Sequence, residues 1–188
     1  MRAHVLVPVK RFDGAKSRLA GVLNAEERAG LMHELLEVVL AALREADVGP
    51  VTVVSSEPLE LSGVSRFDDR GLPWNDALDA AMREAVSEEI AAVVAADLPL
   101  VTAEEIRALV EATPAVGIAV ARAHDGGTNA VSMRPPAALV TCFGEVGSAQ
   151  RHAERALARH LDHVVLDLPG LAFDVDTPED LERLRANA

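Results

Sequence analysis

The sequence contains one cysteine, no tyrosine and no long apolar run. Cys142 cannot form an internal disulfide, and its place in the apolar stretch AALVTCF predicts a buried, inert thiol rather than a nucleophile. No stretch approaches the length of a membrane span, and the start MRAHVLVPVK lacks the apolar core of a signal peptide. We therefore expect a soluble, cytoplasmic protein with no membrane partner.

Positive charge is scarce, because 18 lysine and arginine residues stand against 30 acidic residues and the net charge is −12. Such a charge opposes binding to a nucleic acid backbone and directs attention to local basic clusters. The sequence also shows no Ser-His-Asp order and no paired-cysteine site. Its 188 residues fit one domain, which we predict to span residues 1–188.

Valine-rich apolar runs alternate with amphipathic segments rich in alanine and glutamate. HVLVPV, PVTVVSS and IAAVVAAD alternate with ERAGLMHELLEVVLAALREA and NDALDAAMREAVSEE. The second half continues with EEIRALVEA, VGIAVAR, TNAVSM, a helix from about residue 148 to 160, the strand HVVLDL and a last helix opened by Thr177 and Pro178. This alternation is typical of βα units and predicts an α/β fold with a mainly parallel sheet.

The first predicted strand runs directly into a basic turn. The stretch VLVPVKRFDGAKSRL places Lys10, Lys16 and Arg18 just after that strand. Ligands of α/β domains collect at the carboxyl ends of strands, so the turn predicts a site for the phosphates of a nucleotide. It lacks the glycine pattern of a P-loop or of a dinucleotide-binding fold. We therefore expect the basic side chains to contact the phosphates.

Three aspartates are candidates for a magnesium site. Asp97 ends the apolar run IAAVVAA and precedes a Leu-Pro turn, while Asp174 and Asp176 alternate along FDVD and so face one side of an extended segment. Convergent carboxylates beside a phosphate ligand are typical of Mg²⁺ binding. The alternative is equally open: Asp97 caps a turn, and Asp174 and Asp176 precede the last helix as caps.

Other turns also carry polar side chains. Asn75 in GLPWN is predicted to be a helix N-cap that could also offer its amide to a base or ribose, and Thr128 lies in GGTN, which reads as a plain turn. Ser148 follows Gly147 and predicts a helix start whose free N–H groups attract an anion. The basic neighbours of His152 predict an exposed helix face.

Taken in order, these segments resemble one family, the guanylyltransferases of coenzyme F(420) biosynthesis, which couple GTP to 2-phospho-L-lactate or phosphoenolpyruvate. The matching stretches run from residue 7 to 181 and are VPVKRFDGAKSRLA, GLPWNDALDAA, AADLPLVTAEEI, GGTNAV, FGEVGSAQRHAERA and AFDVDTPEDL. The resemblance implies a Rossmann-like nucleotidyltransferase fold, with three layers and a mixed, mainly parallel sheet.

The resemblance also implies roles for individual residues on the nucleotide side. Lys10, Lys16 and Arg18 would hold the triphosphate, and Lys16 would also act in catalysis. Gly71 and Asn75 would help to seat the nucleoside, although Pro73 and Trp74 lengthen the turn between them compared with related proteins.

On the acceptor side, the resemblance implies that Thr128 and the helix start at Gly147 and Ser148 grip the phosphate and carboxylate of the acceptor. The segment FGEVGS is one residue longer than in related proteins, so either Gly144 or Gly147 would lie against the acceptor. The metal ligands for Mg²⁺ would be Asp97, which is also catalytic, together with Asp174 and Asp176.

The expected reaction is transfer of GMP from GTP to the phosphate of phosphoenolpyruvate or 2-phospho-L-lactate, with release of pyrophosphate. The bias toward alanine and arginine suggests a GC-rich bacterial genome. Because bacterial members of the resembled family often use phosphoenolpyruvate, the resemblance favours that acceptor. The expected partners are therefore GTP and a small three-carbon phospho-acid. Whether the protein forms a homodimer is left open by the sequence. The alternatives are another base or acceptor, such as 3-phosphoglycerate, and a nucleotide-binding protein without catalysis.

Overall fold

A seven-stranded sheet forms the centre of the computed structural model, which describes residues 1–10, 16–59, 61–84 and 86–186. Its strands are β1 (His4–Pro8), β2 (Val51–Val54), β3 (Ser65–Phe67), β4 (Ala91–Val94), β5 (Gly117–Arg122), β6 (Thr128–Arg134) and β7 (Asp162–Leu166). Their order is β3-β2-β1-β4-β6-β5-β7, and β6 runs antiparallel to both of its neighbours. The other strand pairs are parallel, which confirms the prediction of a mixed, mainly parallel sheet.

Helices cover both faces of this sheet. They are α1 (Ala25–Ala46), α2 (Trp74–Glu84), α3 (Ala103–Glu111), α4 (Ser148–Ala158), α5 (Pro169–Ala172) and α6 (Pro178–Ala186), with a 3-10 turn at Ser17–Leu19. Strand side chains alternate between the faces, so Val5 and Val7 pack with α1 and α3 whereas Leu6 packs with α2 and α4. The result is the predicted three-layer α/β/α arrangement.

Side-chain caps fix where several helices begin. Asn24 and Glu27 form a capping box at α1, and Thr102 and Glu105 form a second one at α3. The hydroxyl of Thr177 accepts the backbone N–H three residues ahead at 3.3 Å, which confirms the predicted cap of α6. No helix within the described residues is both long and apolar enough to span a bilayer.

Four details differ from the sequence-based expectations. Strand β3 and the short α5 were not predicted, because three residues or one helical turn carry too little hydrophobic periodicity to detect. The N-cap prediction for Asn75 is wrong, since α2 begins at Trp74 and its first helical hydrogen bond goes to the carbonyl of Pro73. The exposed face predicted at His152 is also wrong, since that side chain is completely buried.

Candidate active site

Several predicted site residues meet at one edge of the sheet. The strands β1 and β4 end there, and β6 begins there because it runs in the opposite direction. A cavity of about 220 Å³ opens at this edge. Its lining includes seven of the predicted site residues, which are Lys10, Lys16, Asp97, Thr128, Gly144, Asp174 and Asp176. The reversed direction of β6 thus brings the GGTN segment beside the ends of the parallel strands.

The segment before α6 presents two carboxylates to the cavity. Phe173 and Val175 are buried in a small core with Leu19, Leu35 and Leu181. The aspartates that alternate with them therefore point to the opposite side, into the cavity. The same small core holds the 3-10 turn that follows Lys16, so one apolar cluster positions both sides of the charged site.

Lys16 and two of the aspartates form a buried ion-pair cluster. The Nζ atom of Lys16 donates to Asp97 Oδ2 at 2.5 Å and to Asp176 Oδ1 at 2.8 Å. Only 4% of the Lys16 side chain is exposed, compared with 23% for Asp97 and 44% for Asp176. The backbone of Lys16 is left-handed at φ 51°. Burial opposes the charge of Lys16, but Asp97 and Asp176 outweigh it and raise the pKa of the ammonium group.

The third carboxylate is held by an amide. Asn129 Nδ2 donates to Asp174 Oδ1 at 3.0 Å. Burial raises the pKa of Asp174 despite that hydrogen bond, and the neighbouring charges of Asp97 and Asp176 act in the same direction. A group of like charges with this electrostatic cost is more stable when a cation lies among them.

These carboxylates fit the requirements of a divalent cation. One oxygen from each of Asp97, Asp174 and Asp176 lies within 4.8 Å of the other two. Hard oxygen ligands at this spacing suit Mg²⁺ or Mn²⁺. The ammonium group of Lys16 already places positive charge between two of them, which shows that the site favours a cation.

The other two basic residues of the predicted phosphate turn are Lys10, which lines the cavity, and Arg18, which does not. Lys10 Nζ sits 4.7 Å above the centre of the Trp74 ring, a cation–π contact on the cavity wall. Arg18 is 69% exposed, and its guanidinium lies 3.5 Å from Asp176. Residues 11–15 of the predicted phosphate turn lie outside the described residues.

A buried polar cluster backs the wall at the start of β6. Thr128 Oγ1 accepts a hydrogen bond from Ser148 Oγ at 3.0 Å and lies 3.0 Å from His152 Nδ1. The other ring nitrogen of His152 accepts the backbone N–H of Cys142 at 3.1 Å. Cys142 is buried, as predicted, and burial raises the pKa of its thiol. Ser148 is itself fully buried and is not among the cavity-lining residues.

The two glycines of FGEVGS occupy different places. Both have positive φ angles, at 76° for Gly144 and 66° for Gly147, which a side chain would strain. Gly144 lines the cavity, whereas Gly147 is the N-cap of α4 and lies outside the cavity lining. The structure therefore places Gly144 nearer to any ligand in the cavity.

Both polar atoms of the Asn75 side-chain amide are hydrogen-bonded to backbone atoms, so the amide is not open to a ligand. Its Oδ1 accepts the N–H of Phe143 at 2.8 Å, and its Nδ2 donates to the carbonyl of the same residue at 3.1 Å. One turn further along α2, the buried Asp79 accepts both the N–H and the hydroxyl of Thr141 at 3.1 Å. Helix α2 thereby holds the loop that leads to Gly144. Neither Asn75 nor Gly71 is among the cavity-lining residues.

The sequence patterns did not identify Trp74 and Asn129, which line the cavity, or His152, which is buried behind it. Trp74 lies in the lengthened GLPWN turn, and a lone tryptophan at the start of a helix, beside the segment predicted to seat the nucleoside, is a signal that could identify it. Asn129 directly follows Thr128 in the GGTN segment, so the same segment could indicate it. The burial of His152 depends on how α4 packs, and no local pattern indicates it.

The fold places the protein in a recognisable class. It matches a protein of Desulfovibrio desulfuricans G20 that is provisionally assigned as a nucleotide-diphospho-sugar transferase, with a TM-score of 0.79 and 20% identity over 100% of this chain and 88% of the other. It also matches a nucleotidyl transferase from Methanothermobacter, with a TM-score of 0.71 and 16% identity over 100% and 97% of the two chains. The fold is thus that of the nucleotidyltransferases.

Sequence comparison defines the family more narrowly. The family model described as Guanylyl transferase CofC like matches residues 3–186, and the chain belongs to this family. The chain is 43% identical to the phosphoenolpyruvate guanylyltransferase of Sphaerobacter thermophilus and 41% identical to that of Rubrobacter xylanophilus, each over 100% of this chain and 95% of the relative. It is 34% identical to the 2-phospho-L-lactate guanylyltransferase of Methanoregula boonei, over 98% of this chain and 82% of the relative.

Proposed function

We propose that this protein transfers GMP from GTP to the phosphate group of phosphoenolpyruvate and releases pyrophosphate. One observation carries the proposal: two lysines, three carboxylates and the side chain of Thr128 line the same cavity in a chain of the guanylyltransferase family. The relatives named as phosphoenolpyruvate enzymes, at 41% and 43% identity, favour this acceptor. The product, in which a diphosphate joins guanosine to the enolpyruvate group, would serve coenzyme F(420) biosynthesis.

The reaction needs no side chain as a base. A phosphate oxygen of the acceptor is ionised near neutral pH and attacks the α-phosphorus of GTP, while the bond from that phosphorus to the bridging oxygen breaks and pyrophosphate leaves with the electron pair. Lys10, Lys16 and Arg18 would receive the triphosphate and stabilise the charge that develops on pyrophosphate. The side chains thus act through position and charge.

Magnesium is part of the proposal. Asp97, Asp174 and Asp176 would hold it, and the ion would supply charge neutralisation on phosphate oxygens. For the carboxylates to bind a cation, the ammonium group of Lys16 must leave its place between Asp97 and Asp176. Bound triphosphate offers Lys16 a new anionic partner, so binding of nucleotide and metal would favour one another.

The direct test is incubation of the purified protein with GTP, Mg²⁺ and phosphoenolpyruvate, followed by mass spectrometry of the product and an assay of pyrophosphate. We expect the GMP adduct and pyrophosphate in equal amounts. CTP, ATP and UTP serve as matched controls for the base. Absence of product with GTP, or a clear preference for another nucleotide, would contradict the proposal.

The acceptor has a second candidate, 2-phospho-L-lactate, which is supported by the relative from Methanoregula boonei. Phosphoenolpyruvate is flat at C2, whereas 2-phospho-L-lactate has a tetrahedral carbon and a methyl group there. A competition assay with both acceptors and with 3-phosphoglycerate compares their kcat/KM directly. A higher value for 2-phospho-L-lactate would replace the proposed acceptor but retain the reaction.

A further inference from the structure

His152 is a fully buried histidine that the proposed reaction does not use. It lies on α4 behind the cavity, and both nitrogens of its ring have partners. Nε2 lies 3.1 Å from the backbone nitrogen of Cys142, and Nδ1 lies 3.0 Å from the hydroxyl oxygen of Thr128. Of these three residues, only Thr128 lines the cavity.

The partner of Nε2 fixes the tautomer of the ring. A backbone N–H can only donate, so Nε2 of His152 must accept and carries no proton. In the neutral imidazole the proton is then on Nδ1, and Nδ1 donates to Thr128 Oγ1. The backbone of Cys142 thus determines the direction of a hydrogen bond on the other side of the ring.

The hydroxyl of Thr128 receives a second donor as well. Ser148 Oγ donates to the same oxygen at 3.0 Å. A hydroxyl has two acceptor lone pairs and one proton, so Ser148 and His152 together use both lone pairs. The proton of Thr128 must point elsewhere, and no side chain or backbone atom of the described residues accepts it. Because Thr128 lines the cavity, this proton is available to a ligand there.

We propose that His152 is a positioning residue that makes Thr128 an obligate hydrogen-bond donor toward an anionic oxygen of the acceptor substrate. This inference rests on the proposed function and deepens it, because it assigns a direction to one contact in the acceptor subsite. Thr128 would favour a carboxylate or phosphate oxygen and would disfavour a ligand hydroxyl that must donate at the same point. His152 acts only through Thr128 and touches no substrate.

A purely structural histidine would give a different result. The ring also packs edge-on against Phe143, with 5.3 Å between ring centres, and it ties α4 to the loop before Gly144. If that were its whole role, substitutions would change activity in proportion to the loss of stability. The test therefore needs variants that separate the two hydrogen bonds of the ring.

His152→Asn and His152→Gln provide that separation. The amide of asparagine can place an N–H where Nδ1 was, whereas glutamine can place an oxygen where Nε2 was and loses the donor to Thr128. We expect H152Q to raise the KM for phosphoenolpyruvate about tenfold or more with little change in the KM for GTP, as for loss of a hydrogen bond to a charged group. H152N should recover most of that loss. Equal effects of both variants, following their melting temperatures, would overturn the proposal.

Thr128→Val and Thr128→Ser complete the set. T128V removes the hydroxyl and should raise the KM for phosphoenolpyruvate at least as much as H152Q, while T128S should retain most of the affinity. The double variant T128V/H152Q should be no worse than T128V alone, because the histidine would act only through that hydroxyl. Additive effects of the two substitutions would contradict a shared path.

A readout independent of activity is the tautomer itself. Nitrogen-15 NMR of the imidazole should show Nδ1 protonated and Nε2 unprotonated in the free wild-type protein. A proton on Nε2 would overturn the inference whatever the kinetics. If wild-type protein formed no product with phosphoenolpyruvate, the proposed function would fail by itself. The inference would then stand or fall on the tautomer and on whether H152Q weakens phosphoenolpyruvate binding measured by calorimetry.

Discussion

At the scale of single residues, the lysines of the chain are notable for their location. The sequence has only two lysines, Lys10 and Lys16, and both line the cavity. They occupy different environments, because Lys10 lies over the Trp74 ring while Lys16 is buried between two carboxylates. The two residues can therefore be assigned different roles by substitution.

Lys16→Ala should weaken GTP binding and strengthen binding of a divalent cation to the free protein. In the free protein the ammonium group competes for oxygens of Asp97 and Asp176, so its removal leaves those oxygens to the metal. We expect the KM for GTP to rise about tenfold or more, as for loss of a charged contact to phosphate. Mn²⁺ binding should tighten, as measured by calorimetry. Lys10→Ala is the matched control, since it should weaken GTP binding without changing Mn²⁺ affinity.

Asp97→Asn should lower turnover by about a hundredfold or more, because the proposed metal ligand loses its charge. The Mg²⁺ concentration for half-maximal rate should rise in parallel. Asp167→Asn is the control, since Asp167 is 74% exposed and pairs with Arg122 away from the cavity. Unchanged turnover in D97N, with a normal Mg²⁺ requirement, would remove Asp97 from the site.

At the scale of elements, local patterns predicted much of the fold and the acidic half of the site. Period-two and helical patterns located six of the strands and most helices, and the alternation in FDVD correctly predicted that Asp174 and Asp176 share one face. The partners of Asn75 and His152 could not be predicted. Asn75 contacts Phe143 across 68 residues of sequence, and His152 contacts Thr128 across 24, so only the packing of α2 and α4 decides them.

Asn75→Ala should affect the acceptor more than the nucleotide. The substitution removes both hydrogen bonds to the Phe143 backbone and loosens the loop that carries Gly144. We expect a loss of about 1–3 kcal/mol in the free energy of unfolding and a rise in the KM for phosphoenolpyruvate. Asn24→Ala is the control. It removes the N-cap of α1 and should lower the free energy of unfolding by about 1 kcal/mol, with both KM values unchanged. A selective rise in the KM for GTP in N75A would instead support a role in seating the nucleoside.

At the scale of the whole molecule, the site joins the two ends of the chain. The ion pair from Lys16 to Asp176 spans 160 residues, and the reversed strand β6 places Thr128 between the ends of parallel strands. The charged cluster forms only when both halves have folded. Ligands that bind it should stabilise the whole protein, because they bind the folded state alone.

Acid should destabilise the folded protein through its buried histidines. Burial lowers the pKa of His152 to about 4 from 6.5, and burial also lowers the pKa of His4. Between about pH 4 and pH 6.5, residue 152 binds a proton in the unfolded chain but not in the folded chain. The free energy of unfolding therefore rises with pH across this window and falls on acidification, by about 3 kcal/mol for His152 at pH 4. Above pH 6.5 this histidine contributes no pH dependence.

Other groups oppose or add to this trend, so the test must isolate His152. Burial raises the pKa of Asp79 and of Asp174, and these carboxyls favour the folded state as the pH falls. Urea unfolding of wild-type protein and H152Q at intervals from pH 7.5 to 4.5 cancels these shared contributions. The difference in stability between the two proteins should be largest at pH 7.5 and should shrink steadily below pH 6.5, since glutamine does not titrate. A difference independent of pH would mean that His152 has the same pKa in the folded and unfolded states, and would contradict its assignment as a buried neutral ring that accepts the Cys142 amide.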